Sequence, residues 1–590
     1  MTGRIPRRII SVCLIVTMSA AGCSQQGTRK GQQKTAASVQ KDFQKHMEEV
    51  FRENVSDNGI ELHYTLKDPE AYGIEEKTQE LGTISAEGKK ETEKELEALR
   101  KFPYDKLSQK QQDTYDIWKD YLMKQKELQK YPYHESVLSP TTGIQAQLPV
   151  TFCEYRLDTK DDVEGYLKLL SQTEQYFDSV MEYEKEKVKR NLFMSDESVD
   201  AVTAQIHEFT KAKENNSLIA TFKDRIASVK DLSSSEQNAY IQKNRKIVLN
   251  QVIPAYEKLA DELKNLKGNG KNDAGLAYLK DGKEYYKALV KNQTGSSSTV
   301  EDMISMAEDS IQDCVLKSAA IAEEHPEAME KFVMEGASDD IGGGPGEMLS
   351  NLKERIEKNF PETEDVDCEI KYVHKSLEKD LSPAFYMIPA LDSYEENIIY
   401  INQSHMGSPI QMYTTLAHEG YPGHLYQNVY FASKEEEPIR YLLDYPGYSE
   451  GWATYVESWS YSTVDVGKEK KAWEQLNSLS LEFNLALCSR IDFGVNYEGW
   501  KKQKAEEYLK QFYISSSNAD HLFSTVVSEP ANYLSYYIGY KEFVKLRDYY
   551  KKGAGKKYSL KKFHKLMLDA GPASFNILKK RINENLRMEE

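Results

Sequence analysis

From residue 39 to 52, 91 to 102 and 109 to 129, apolar side chains return every three or four positions among glutamates and lysines. That period lines one face of an α-helix and predicts amphipathic helices. It continues through 161–190, where Asp161 or Asp162 would cap the start, and through 201–214, 234–266 and 299–322. Thr299 and Asp302 have the spacing of a capping box. The Leu, Tyr and Phe stripes on these faces read as core. Glycine and proline punctuate the pattern at 139–143, 268–272, 295–298 and 342–346. The glycine run at 342–346 has no P-loop lysine and Ser/Thr after it, so it reads as a hinge or turn.

The stretch 384–402 changes character. Tyr386, Ile388 and Ile398–Ile401 are strand formers around a turn-prone 392–397, which predicts a small hairpin or edge strand. The expected fold is therefore mainly α with a small β element, with a large helical N-terminal lobe at 41–300 and a second lobe at 301–590.

The first residues are organised differently. Arg4, Arg7 and Arg8 precede a short apolar run, and Ser19-Ala20-Ala21-Gly22-Cys23 follows. This is the pattern of a secretory signal, 1–22, too short for a bilayer span. Small residues before Cys23 resemble a bacterial lipobox, although Ala20 stands where such motifs carry Leu. Cys23 would be lipidated, and 23–40, rich in Gln, Gly, Thr and Lys, would be a flexible tether. The expected location is extracytoplasmic, on the membrane through the lipid alone.

Composition narrows the function. A net charge of −17 over 590 residues argues against a phosphate-neutralising surface, so nucleic acid is not an expected partner. Cys153, Cys314, Cys368 and Cys488 are far apart with no CxxC spacing, which argues for free thiols rather than a disulfide framework or a thiolate zinc site. Glu435-Glu436-Glu437 reads as a solvated charge run.

One segment carries chemistry: Ala417-His418-Glu419-Gly420-Tyr421-Pro422-Gly423-His424-Leu425-Tyr426-Gln427. Zinc takes imidazole and carboxylate ligands, and a neighbouring carboxylate accepts the proton of zinc-activated water. His418 and Glu419 offer one group of each kind. The usual H-E-x-x-H spacing sets its histidines about 40° apart around a helix; here the second follows at six residues, about 240° round. Only a broken helix could aim both at one ion, and Pro422 and Gly423 supply the break. Glu450 is the chosen third ligand, 26 residues after His424. Glu457, seven residues further on the same helical face, would orient a histidine. His374, His405 and His521 are the alternative ligands.

His-Glu-x-x-Pro-Gly-His-x-x-Gln resembles the signature of the bacterial domain-of-unknown-function family 885, which is similar to the gluzincin clan of zinc peptidases. Ser449-Glu450-Gly451-Trp452-Ala453 resembles the segment in which gluzincin aminopeptidases carry their glutamate ligand. Further matches include Tyr386-Met387-Ile388-Pro389 and 530–539. The resemblance covers roughly 40–585 and implies a zincin-like catalytic lobe at 301–590. It implies a zinc cofactor, a peptide substrate, and Glu419 as general base. Asp492-Phe493-Gly494-Val495-Asn496-Tyr497-Glu498-Gly499-Trp500 departs from a family segment with His where Asn496 stands, and Asn496 would meet substrate as an amide. Tyr536 is the candidate oxyanion donor, with Tyr537 next. Arg490 and Arg547 are candidates for a substrate carboxylate, with structural ion pairs as the competing reading. The rival functions are an inactive surface-binding lipoprotein and a metal-dependent ester or amide hydrolase.

Overall fold

The computed structural model describes residues 35–589 except 76–77, 87–88, 141, 271–273, 335–340, 376–377, 379–381 and 436. The signal segment, Cys23 and most of the tether expected at 23–40 lie outside the described residues. The first helix, Ala36–Val55, begins inside the last part of that tether, capped by the Thr35 hydroxyl.

Helices dominate, and most follow the apolar period: Gln109–Leu128, Asp196–Lys211 and Val300–Glu324 among them. Thr299 and Asp302 form a reciprocal capping box on the last of these. The stretch 161–190 is two helices, Lys160–Leu170 and Thr173–Lys189, capped by Thr159 rather than by an aspartate. The break falls at Gln172, whose side chain donates to the Gln79 carbonyl and accepts from Leu81 N–H, each at 2.8 Å. The segment 234–266 is continuous except for a π-helical turn, Val248–Val252. Gly342–Gly344 lead into the helix Pro345–Arg355, with proline at its first position as helix entry favours.

Three strands form one sheet in the order β1 (Asp367–Tyr372), β3 (Glu396–Ile401), β2 (Ala384–Met387). β2 and β3 are the antiparallel pair expected at 384–402, with Ala384 opposite Ile401 and Met387 opposite Ile398. β1 runs parallel to β3, Asp367 opposite Glu396 through Tyr372 opposite Ile401. Alternation puts Ala384, Tyr386, Ile399 and Ile401 in one hydrophobic core and Phe385 and Tyr400 in another, so β2 and β3 are buried on both faces.

The cores cross residue 300. The first joins Phe43, Phe51 and Trp118 to Tyr413, Trp452, Phe543 and Leu578. The second gathers Phe152, Tyr166, Phe177 and Tyr256 beneath the sheet. The third joins Tyr286 and Met303 to Ile491, Phe493 and Tyr537. Cys153, Cys314, Cys368 and Cys488 are free thiols. Among the described residues no helix is long and apolar enough to cross a membrane. Of the run expected to be solvated at 435–437, residue 436 lies outside the described residues, and the two glutamates flanking it are not solvated: Glu437 is buried, and Glu435 pairs with buried Arg440 at 3.0 Å. Burial and the neighbouring Glu435 push the Glu437 carboxyl up to about 7.

Candidate metal centre

The helix carrying the His-Glu pair is Pro409–Glu419. Ser408 and Gln411 close a capping box at its start, and Pro409 sits at its first position. Its turns are buried nearly all round, through Ile410, Met412, Tyr413, Leu416 and Ala417, as suits a helix inside the core. The helix ends at Glu419, and the next one, His424–Ala432, begins at the second histidine. The helix is thus interrupted completely rather than bulged. The Tyr421–Pro422 peptide is cis.

Glycine is required at 423 by close approach. A Cβ there would stand 1.7 Å from the His418 carbonyl oxygen and 2.5 Å from that of Ala417. The first turn of the second helix is therefore pressed against the last turn of the first, which brings the two histidines together. Their rings are 4.9 Å apart at an interplanar angle of 80°. The buried Trp452 indole donates to the Pro422 carbonyl at 2.9 Å, tying the connection to the helix Pro446–Ser460.

That third helix delivers Glu450. Its Oε2 lies 3.6 Å from His418 Nε2 and 3.4 Å from His424 Nε2. Charge-assisted N–H···O bonds are shorter, about 2.7–2.9 Å. Donors held about 2.0–2.1 Å from a tetrahedral zinc lie about 3.4 Å from one another. The spacing thus fits three ligands around a cation better than an ion pair. Two turns on, Glu457 Oε2 lies 3.1 Å from His418 Nδ1, which fixes the ring and turns Nε2 toward Glu450. Burial disfavours the His418 imidazolium, but Glu450, Glu457 and Glu419 outweigh it and push His418 up to about 10. The site carries surplus negative charge that a cation would neutralise.

Glu419 is 2% exposed. Its Oε2 accepts the backbone N–H of Tyr386, on the edge of β2, at 2.9 Å, while Oε1 has no hydrogen-bond partner. Donor atoms of His418, Glu419 and His424 all lie within 4.8 Å of one another. Glu450 faces the same histidines, so two carboxylates of different attachment converge here. One is tied to the sheet edge; the other lies between the imidazoles.

The helix Asn532–Ala554 brings Tyr536 over the site. Its ring is 6.3 Å from that of His418, inclined by 21°. This helix and the Glu450 helix cross with backbones touching: a Cβ on Gly451 would stand 2.4 Å from the Gly539 carbonyl carbon, and one on Gly539 would stand 2.2 Å from the Gly447 oxygen. A pocket of about 180 Å³ opens beside these helices, with His424, Gln427, Glu450, Tyr536, Thr142 and Gln293 in its lining.

The other expected site residues are elsewhere. Arg490 is 5% exposed in the third core, paired with Glu308 and Glu498 at 2.8 Å each, its guanidinium 4.3 Å over Trp500. Asn496 spends its amide internally, accepting from Leu276 N–H and donating to Asp492 and the Val526 carbonyl. Arg547 pairs with Asp548 and lies over Tyr455. None of the three lines the pocket, because ion pairs and core packing consume their donors. Tyr537 turns away and donates toward Met306 and Ser310. His374, His405 and His521 are exposed and outside the cluster. Sequence reasoning missed the Tyr386 amide, because a backbone donor has no side-chain signature. Gln427, the last residue of the motif, also lines the pocket, where no role was expected of it.

Taken together, fold and site define a helix-rich protein with a small mixed sheet and a buried centre of two histidines and two glutamates. The chain belongs to the family of bacterial proteins of unknown function DUF885, which it matches over residues 70–582. No curated protein matches it. A presumed lipoprotein from Colwellia psychrerythraea has the same fold: TM-score 0.81, 17% identity, 93% of this chain and 99% of that one covered. A presumed lipoprotein of unknown function from Shewanella oneidensis superposes at TM-score 0.59, 15% identical, covering 95% of this chain and 100% of that one. A presumed oligoendopeptidase F from Bacillus anthracis reaches only TM-score 0.29 at 11% identity, covering 86% of this chain and 96% of that one, too little for a shared fold to follow.

Proposed function

We propose that this protein is a zinc-dependent peptidase, held outside the cytoplasmic membrane by a lipid on Cys23. The observation that carries the reading is the spacing of 3.4 and 3.6 Å between Glu450 Oε2 and the two imidazole Nε2 atoms, beside a second carboxylate with one unengaged oxygen. His418, His424 and Glu450 would hold the ion, with Glu457 fixing the His418 tautomer. When bound, zinc supplies Lewis acidity, making water acidic near neutral pH and polarising a carbonyl.

The remaining work falls to the chain. Tyr386 N–H holds Glu419 Oε2, so Oε1 is the atom that takes a proton from water and returns it to the leaving amine. Tyr536, whose ring lies over His418, donates its hydroxyl to the developing oxyanion. Burial of the cluster excludes bulk water and strengthens each of these interactions.

The test is metal content and turnover in the purified full chain without chelators. Near-stoichiometric zinc, lost in His418→Ala, supports the centre. Cleavage of a peptide library that falls about a hundredfold or more in Glu419→Gln, with zinc retained, supports Glu419 as base. A well-folded, metal-free wild type would instead favour a surface-binding lipoprotein.

A further inference from the structure

The candidate site does not end at Glu450. Its pocket shares Thr142, Gln293, Asp444 and Asn532 with a second cavity of about 250 Å³ that runs into the N-terminal half. Nothing proposed above uses this space. Its wall carries five carboxylates, Glu91, Glu95, Glu135, Asp444 and Glu529, and among the described residues lining it there is no lysine or arginine.

Unspent acceptors accompany the charge. Glu95 is 2% exposed; its Oε1 meets Trp118 Nε1 at 3.0 Å and His46 Nε2 at 2.9 Å, while Oε2 has no partner in the protein. Asn54, also buried, donates to the Val50 carbonyl and leaves Oδ1 without a partner. Gln129 donates to Thr92 and leaves Oε1 in the same state. All three residues line this cavity, as does His134, whose Nε2 meets the Lys280 carbonyl and whose Nδ1 has no hydrogen-bond partner, so each of these unspent atoms is an acceptor. Leaving buried acceptors unmet is costly, and what meets them is a donor. Trp118, Tyr121, Tyr131 and Tyr285 add aromatic faces, which attract cations.

We propose that this cavity is a subsite for a cationic, hydrogen-bond-donating group of the substrate: a lysine or arginine side chain, or the α-ammonium, of a peptide lying across the metal centre. The inference rests on the peptidase reading and adds its substrate class. The N-terminal half becomes the part that selects substrate, while the C-terminal half supplies the chemistry.

The experiment uses the zinc-loaded full chain and matched peptides in which one position, walked along the sequence, is Lys, Arg, norleucine or Glu, each with a free or acetylated N-terminus. At one position Lys or Arg should raise kcat/KM over norleucine on the order of tenfold or more, the worth of one charge-assisted hydrogen bond. A fall of similar size on acetylating the N-terminus, with no Lys or Arg effect at any position, would assign the subsite to the α-ammonium; a Lys or Arg effect that survives acetylation would assign it to the side chain. Glu95→Gln, which keeps an acceptor for Trp118 and removes the charge, should bring the ratio close to one. Cleavage without preference for a cation at any position would overturn the subsite and leave the peptidase reading standing. If no peptide is cut, calorimetric titration with the same lysine and norleucine peptides decides. Selective binding of the lysine peptide, weakened in Glu95→Gln, would sustain the subsite although the peptidase reading fails; equal binding would overturn it.

Discussion

Replacing Gly423 by alanine tests the geometry on which the metal reading depends. The added methyl would sit 1.7 Å from the His418 carbonyl oxygen and 2.4 Å from its carbonyl carbon. Ordinary contact begins near 3.4 Å, so backbone must separate by roughly 1.7 Å, and no flexible side chain is available to yield. Zinc ligand distances hold to within about 0.2 Å. A shift several times larger, applied at the backbone of one histidine and next to the other, cannot leave both imidazoles at bonding distance from one ion. Zinc affinity should fall by about a hundredfold or more, beyond the usual cost of losing an outer hydrogen bond to a ligand. Competition against a chromophoric chelator reads the affinity, and thermal unfolding of the metal-free protein reads the fold separately. Gly346→Ala is the control, because a Cβ there meets nothing within 4 Å. Wild-type zinc affinity in a folded Gly423→Ala protein would refute the argument that the Pro-Gly step places the ligands.

Glu457→Gln should weaken zinc binding about 10- to 100-fold without loss of fold, since the His418 Nδ1 partner changes while the three proposed ligands remain; unchanged affinity in the chelator assay would remove Glu457 from the centre. Glu437, pushed up to about 7 by burial and Glu435, binds more protons folded than unfolded between roughly pH 4.5 and 7. Its contribution to stability is therefore present at low pH and lost as pH rises through that window, by up to about 3 kcal/mol. Glu437→Gln lacks this loss, so urea unfolding should find it gaining on the wild type between pH 5 and pH 8; a constant difference would contradict the assignment.

Much of the architecture was legible as period. The helices Gln109–Leu128 and Val300–Glu324 needed only their apolar faces and caps, and the β2–β3 pair needed its β-branched residues around a turn. β1 was not expected: Asp367, Glu369 and Lys371 alternate with Cys368, Ile370 and Tyr372 at the period of a strand, but over only six residues, and its partner lies across a parallel, non-local pairing. The break at Gln172 was equally hidden, being fixed by backbone groups nearly a hundred residues earlier. At the centre, the Pro-Gly interruption announced that His418 and His424 could converge, and the family resemblance pointed to Glu450. Arg490, Asn496 and Arg547 misled because a charged or amide side chain looks the same in sequence whether it faces a ligand or a neighbour. Their partners, Glu308, Leu276 N–H and Asp548, are visible only after folding.

The glycine crossing between the Glu450 and Tyr536 helices has a mechanical consequence. With no side-chain layer between Gly451 and Gly539, the two rods have nothing to compress and no cushion to slide on. Gly447, pressed against the Thr294 backbone, joins the helix carrying Gln293 to the same rigid unit, so any breathing that admits a bulky chain falls to other parts of the lining, such as the turn carrying Thr142.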